Sequence, residues 1–518
     1  MGKYNQKTVT PTVVNHQGGT GFNLDPKLEL IGLLATGLDG KFYEKESERE
    51  NRLVTLIKEI GKKDPVFIAK ALVYTRTVIG QRSITHVGSV AAAQVLSGNP
   101  IATRFFSKRS KKENAGGIIY RVDDMLEIIA YYYLRNPGKP LPNAIKRGFK
   151  NALENSDAYE LAKYQAKGKD ISLVDVVNLV RPKPSKDMEE TFKLLMNGGL
   201  KQFNTAEDKN SKVGQEVAAK VKSGQISKSD AAKVLAEAKS ENWALLIKDG
   251  TLGYLALLRN LRNIVEQSND ETFDAALIML TDEKRVRKSL VFPHQIDLAF
   301  EVLLSESNIS ANRKTKLLTA VNKAYELAIP NLSDLFSFGR TAVVMDTSGS
   351  MTSRCSIGVG TKINSRAVDK AALIGATLAK GIGADMYHFS TSCEQLTYNP
   401  LDTVNTIKNG VLNRSFGGGT TFQSIFGTLK GKYDRIFVIS DMQGGDTLVG
   451  CGQYRDYVAK NGQPFIYSVN LCGYGTSMFK ETNKLVNIFG YSADIFEQVK
   501  KVEIDPKQIL KEIDAINI

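Results

Sequence analysis

Cysteine and histidine are scarce in this chain, with four of each in 518 residues. Cys355, Cys393, Cys451 and Cys472 all fall in the last third, with no Cys-x-x-Cys spacing and only His388 near one of them. That pattern argues against a zinc site or a disulfide framework and fits reduced thiols in a cytoplasmic protein. The histidines (His16, His86, His294, His388) are scattered, so none is assigned a catalytic role. Uninterrupted apolar windows of eighteen residues are absent, and Met1-Gly-Lys-Tyr-Asn-Gln-Lys lacks the apolar core of a secretion signal. The expectation is an intracellular chain without a membrane partner. Alternating strand patterning is nearly absent from the first 340 residues, and no repeat of fixed length is visible there.

What is present is a composition of 42% hydrophobic and 24% charged residues, on a chain too long for one ordinary domain. The net charge of +14 is unevenly placed. Residues 341–518 hold 18 basic against 16 acidic side chains, and the remainder 51 against 39. The excess therefore precedes the last third. A basic surface of that kind suggests nucleic acid, with a merely solvated basic face as the alternative.

The most informative stretch is Thr341-Ala-Val-Val-Met-Asp346-Thr-Ser348-Gly-Ser350, an apolar run that ends in an acid and two hydroxyls. It predicts a buried strand followed by a polar loop at its carboxyl end, where open α/β sheets bind ligands. One carboxylate and two hydroxyls on alternate residues suit a hard divalent cation such as Mg²⁺ that keeps several waters. Gly417-Gly-Gly-Thr420 adds a glycine loop with a hydroxyl, and Ile436-Phe-Val-Ile-Ser-Asp441 a second buried strand ending in an acid. Together Asp346, Ser348, Ser350, Thr420 and Asp441 resemble the metal-ion-dependent adhesion site of von Willebrand factor A domains. Two alternatives stand beside this. In one, the Asp-Thr-Ser-Gly-Ser turn only caps a helix; in the other, an apolar strand ending in Asp opens the haloacid dehalogenase type of phosphotransferase, but Ser348 occupies the place of its general acid.

Before this domain the chain reads as successive one-sided helices separated by Gly, Pro and polar punctuation, beginning near Pro26 after a flexible lead-in, Gln17-Gly-Gly-Thr-Gly21. Asp64-Pro65 opens one of them with a cap and a first-turn proline. Helices that cannot each bury an apolar stripe alone suggest a helical-repeat solenoid. Basic residues cluster at their ends, at Lys108-Arg109, Lys146-Arg147, Lys163 to Lys169, Arg181 to Lys186 and Lys284 to Lys288, several beside Phe or Tyr. Such mixtures pair with phosphates and stack on unpaired bases.

Leu141-Pro-Asn-Ala-Ile-Lys-Arg-Gly-Phe-Lys-Asn-Ala-Leu, Tyr159-Glu-Leu-Ala-Lys-Tyr-Gln-Ala-Lys167 and Val176-Val-Asn-Leu-Val-Arg-Pro-Lys-Pro-Ser185 are similar to the TROVE module of the Ro RNA-binding proteins. The resemblance covers roughly residues 22–490. It implies a ring of HEAT-like repeats over 22–338, a von Willebrand A-like, doubly wound α/β domain over 339–500, and a tail over 501–518. It also implies binding of Y-like RNA and of misfolded RNA 3′ ends, without catalysis. Lys163 and Lys167 match a Lys-Tyr-x-x-x-Arg contact stretch with Lys in place of Arg, and Arg181 lies where the family carries a His. With Lys108, Arg109, Lys146 and Arg147, these are the expected RNA contacts. Further expected partners are an acidic protein ligand at the metal and, in bacteria, an exoribonuclease such as polynucleotide phosphorylase. Two functions of other classes compete: a metal-dependent subunit of a chaperone or chelatase complex, and a metal nuclease or phosphatase, which the lack of a second acid beside Asp346 disfavours.

Overall fold

In the computed structural model, the described residues are 11–518 without 111, 166–169, 201–215, 218–219, 222, 224, 251, 294, 298–308, 334–338, 355–364, 415–416, 448–451 and 492–494. They form two compact units. The first joins residues 1–199 to 335–402 and 406–518, and the second comprises 200–334 with 403–405. Compactness thus groups the N-terminal helices with the α/β domain, where sequence pattern separates them.

The second unit is helical. Its helices Lys228–Lys248, Tyr254–Gln267, Asp270–Leu280, Glu283–Ser289 and Ala311–Ser333 bury leucine-rich stripes that include Leu257, Leu261, Leu280 and Leu317. Ser227 and Asn269 cap two of the N-termini by accepting backbone N–H bonds.

In the first unit the helix Pro26–Thr36 starts at Asp25, whose carboxylate accepts from Lys27 N at 2.9 Å, with Pro26 in the first turn. Every residue from Leu30 to Thr36 is buried. The reason is packing on both sides: against the helix Glu46–Gly61, and against the strand Leu485–Phe489, where a Cβ on Gly32 would stand 2.7 Å from the Phe489 ring. Asp64 caps the helix Pro65–Tyr74 as its sequence predicts, accepting from Phe67 N at 3.0 Å. Further helices follow at Ser83–Val95, Asp123–Arg135, Asn143–Glu154, Ala158–Lys163, Leu173–Val180 and Glu189–Met196.

Eleven short or long strands are described, β1 (Val13–Val14), β2 (Thr20–Asn23), β3 (Arg109–Ser110), β4 (Ala115–Gly116), β5 (Thr341–Asp346), β6 (Asp385–Phe389), β7 (Cys393–Leu396), β8 (Arg435–Ser440), β9 (Phe465–Asn470), β10 (Thr476–Ser477) and β11 (Leu485–Phe489). The main sheet has the order β11-β9-β8-β5-β6-β7, parallel except for β7 at the edge. All six residues of β5 are buried, as expected of a parallel strand covered on both faces. The helix Ala367–Ile382 covers β5 so closely that a Cβ on Gly375 would meet Met345 Sδ at 2.2 Å. Successive crossovers leave β5 in opposite directions, to β6 and to β8, so a topological switch point lies between β5 and β8.

One segment departs from the sequence reading, and a second, the tail, had no docking assigned to it. The glycine-rich lead-in is ordered, because β2 pairs with β1 and with β10 of the α/β domain. The C-terminal tail docks on the N-terminal helices: the helix Gln508–Asp514 lies against Pro65–Tyr74, Tyr74 donates to Glu512 Oε2 (3.1 Å), and Gly116 N donates to Asn517 O (3.2 Å). Among the described residues no helix is long and apolar enough to cross a membrane.

Candidate metal centre and nucleic-acid interface

The five oxygen ligands predicted for a cation converge at the carboxyl ends of β5 and β8, at the switch point. Asp346 ends β5, and its Oδ1 accepts from Ser348 N (2.8 Å) while Oδ2 accepts from Ser440 Oγ (2.5 Å). Ser348 Oγ and Ser350 Oγ stand 3.3 Å apart on a single 3-10 turn, Gly349–Thr352. Ser348 Oγ accepts no backbone N–H of that turn, so its hydroxyl is not spent on a helix cap. The glycine loop is drawn in by Gly417 N donating to Thr347 O (3.2 Å) and Gly349 N to Gly418 O (3.4 Å). Gly417 and Gly418 both have positive φ, a conformation that carries no steric penalty only without a Cβ. Asp441 follows β8, its Oδ1 accepting from Gln443 N (3.0 Å). Asp446 then accepts from Phe422 N and Gln423 N, which ties this loop to the helix after Thr420.

All five side chains are buried, and both carboxylates are wholly removed from solvent. Burial pushes Asp346 up to about 6, and burial together with the charge of Asp346 pushes Asp441 up to about 7. Two buried oxygens, Thr420 Oγ1 and Asp441 Oδ2, have no hydrogen-bond partner. Leaving such atoms unsatisfied costs about 1–3 kcal/mol each, and a divalent cation among them would satisfy both and neutralise the carboxylate pair. The residues fit such an ion. All five candidate donors, Asp346, Ser348, Ser350, Thr420 and Asp441, are oxygens, which suits a hard cation and not a soft one.

The predicted RNA contacts separate into surface and interior positions. Arg147 and Arg181 are exposed, and Lys146 is half-buried. Lys146 and Arg147 lie on the helix Asn143–Glu154, which packs on Leu173–Val180, the helix that Arg181 terminates in the left-handed conformation at φ 48°. Lys183 N donates to Glu154 Oε1 (2.7 Å) and holds the following segment to the first helix. Lys163 ends its helix with Nζ over the rings of Tyr159 and Tyr164 (5.7 and 5.8 Å). It borders a cavity of about 350 Å³ shared with Arg82, Asp123, Tyr164 and Asp170. Lys167 lies outside the described residues.

Lys108 and Arg109 have structural engagements. Lys108 Nζ pairs with Glu160 (2.5 Å) and bonds Ser156 Oγ (3.2 Å). Arg109 is 2% exposed, and its guanidinium donates to the carbonyls of Gly116, Asn517 and Asn114 and to Asn114 Oδ1 at 2.7–3.0 Å. It fastens the β3–β4 hairpin to the C-terminus from inside, where a phosphate has no access.

The hub beside Lys163 has no signature in the sequence pattern. Asp124, fully buried, accepts from Arg76 Nη2, Arg82 Nε and the backbone N–H of Tyr120 and Arg121, and bonds His86 Nε2. Burial pulls its carboxyl up, but His86, Arg76 and Arg82 outweigh it and hold Asp124 well below the usual carboxylate range. Asp123 and Arg121 extend the network to Tyr164, over whose ring Arg121 lies at 4.7 Å.

Residues 23–237 and 225–335 match the model of the TROVE domain, together more than half of the chain. In structure the chain is similar to the RO (RSR) protein of Deinococcus radiodurans, known from a crystal structure, with a TM-score of 0.51 and 17% sequence identity over 92% of this chain and 99% of that one. At that identity the likeness is one of fold, a helical N-terminal region followed by an α/β domain. No curated protein matches the chain in sequence.

Proposed function

Because the chain belongs to the Ro family defined by the TROVE domain, we propose that it is an RNA-binding scaffold for small structured, Y-like noncoding RNA and for the 3′ ends of misfolded RNA. The observation that carries this reading is the surface placement of Lys146, Arg147 and Arg181 on two helices packed together, within the part of the chain that holds nearly all of the excess positive charge. Lys163 over two tyrosines adds a cation beside rings on which bases can stack. In this reading the chain performs no chemistry on RNA; it holds RNA for quality control or decay, with an exoribonuclease as the downstream partner. The α/β domain contributes a Mg²⁺ site at Asp346, Ser348, Ser350, Thr420 and Asp441, separate from the RNA surface. A metal held by a carboxylate pair supplies charge neutralisation and an outward coordination position.

The test is RNA binding by fluorescence anisotropy over a salt series, comparing the wild type with Lys146→Ala/Arg147→Ala/Arg181→Ala. Each lost phosphate contact lowers the slope of log K against log salt by about 0.9, and the triple change should weaken binding by about 1–3 kcal/mol at least. An unchanged slope in the folded variant would place the RNA surface elsewhere.

A further inference from the structure

The outward side of the metal loops is covered by residues from the N-terminal part of the same compact unit. Asn15 Nδ2 donates to Gly444 O (2.7 Å) and His16 N to Gln443 Oε1 (2.9 Å). The Gln17 amide donates to Gln443 O (2.8 Å) and accepts from Thr420 N (2.9 Å). Gly19 approaches so closely that a Cβ would stand 2.1 Å from Gly444 O. A second segment, the turn between helices Pro26–Thr36 and Glu46–Gly61, reaches the third metal loop: Phe42 N donates to Ser353 Oγ (2.9 Å) and Lys41 Nζ to Arg354 O (2.9 Å). All three ligand-bearing loops are therefore gripped from outside the α/β fold.

These contacts set Tyr43 over the site. Its ring stacks on His16 (centroids 5.7 Å, planes 11° apart) and meets Tyr474 edge-on (5.8 Å), and its N–H donates to Tyr474 Oη (3.2 Å). Tyr43 thus sits between the bond of His16 to Gln443 and that of Phe42 to Ser353, and burial raises its phenol above the ordinary value, with Asp441 and Asp346 adding to the rise. A cation held by two carboxylates is already neutralised. A neutral phenol can hold its outward water, or take that position, without burying a third charge.

We propose that Tyr43 is the in-chain occupant of the metal's outward side, so that a bound divalent cation fastens residues 13–23 and the turn 37–45 onto the α/β sheet. A foreign carboxylate then reaches the metal only by displacing Tyr43, and capture of an acidic protein requires this N-terminal cover to open. The inference rests on the reading of the five oxygens as a Mg²⁺ site, and the test separates the two.

Calorimetric titration of the full chain with MgCl₂ comes first, followed by hydrogen exchange measured with and without Mg²⁺ at about ten times its Kd. Exchange that requires expulsion of the metal should slow about tenfold under that condition, following 1 + [Mg²⁺]/Kd. Wild-type peptides covering 13–23 and 38–46 are expected to show this slowing. Asp441→Asn should lose it everywhere. Tyr43→Phe, which keeps the ring packing, should lose it in 38–46 while still binding Mg²⁺. Absence of Mg²⁺ binding by the folded wild type would overturn both readings. Mg²⁺ binding with protection confined to residues 346–353, 417–421 and 441–446 would overturn this inference alone, as would full protection in Tyr43→Phe.

Discussion

Replacing Arg49 with Met would test how the N-terminal helices are joined to the α/β domain. Arg49 is wholly buried on the helix Glu46–Gly61. Its guanidinium donates to Gly37 O twice (3.0 and 2.8 Å), Thr36 Oγ1 (2.8 Å), Glu44 Oε2 (3.0 Å) and Cys472 O just beyond β9 (2.9 Å). Met fills much of the volume but leaves the Gly37 and Cys472 carbonyls without that donor, at about 1–3 kcal/mol each. Glu44 is spared the full penalty of a lone buried charge because Arg52 grips both its oxygens at 2.8 Å. The expected loss is therefore about 3–5 kcal/mol, the range for a broken buried pair. Arg49→Lys restores the charge but not the fork and should recover less than half of it. Urea denaturation followed by circular dichroism reads the change as a lower midpoint for the transition of this unit. A loss below about 1 kcal/mol would refute the view that Arg49 is the junction.

Asp124→Asn should cost about 3–5 kcal/mol at neutral pH, since it strips the partner of Arg76 and Arg82. Because the folded pKa of Asp124 is depressed, its contribution is complete above the unfolded value near 4 and is lost as pH falls through the folded one; acid titration of stability should be shallower in the variant. Asp346 and Asp441 have the opposite sign: their raised values make the metal-free protein lose stability as pH rises from about 4 to about 7. Mg²⁺ at about 100 times its Kd should return about 2.7 kcal/mol, more at pH 8 than at pH 5.5 where protons compete, and Asp441→Asn should abolish the thermal shift. Arg109→Ala should destabilise the β3–β4 hairpin and the C-terminus by about 2 kcal/mol or more while leaving RNA affinity of the folded protein unchanged, as denaturation and anisotropy would show.

The centre of the sheet was legible because parallel strands covered on both faces read as apolar runs, and β5 and β8 lie where that pattern puts them. β7 was not: it is a four-residue edge strand with Glu394 and Gln395 exposed, which leaves no apolar signature. The candidate oxygen ligands were legible as one short motif, a glycine loop and a second strand end, which the fold brings to neighbouring loops at the carboxyl ends of β5 and β8. Their cover was not, since nothing in the spacing of His16, Gln17 and Tyr43 links them to residues 346–446. Gln17-Gly-Gly-Thr-Gly21 has the composition of a flexible lead-in, yet Gly19 serves close backbone approach, which sequence alone does not distinguish from mobility. Charge clusters have the same ambiguity: Arg109 and Arg147 look alike in sequence, and only burial tells the saturated guanidinium from the exposed one.

In the proposed function RNA lies on the basic helical surface and not at the candidate metal site. Ultraviolet crosslinking of the full chain to a structured noncoding RNA, followed by mass spectrometry of the crosslinked peptides, tests it most directly. Crosslinks are expected in peptides carrying Lys146 and Arg147, Lys163 and Tyr164, and Arg181, unchanged by Asp441→Asn. Crosslinks concentrated in residues 346–353 or 417–421, or lost in Asp441→Asn, would contradict it.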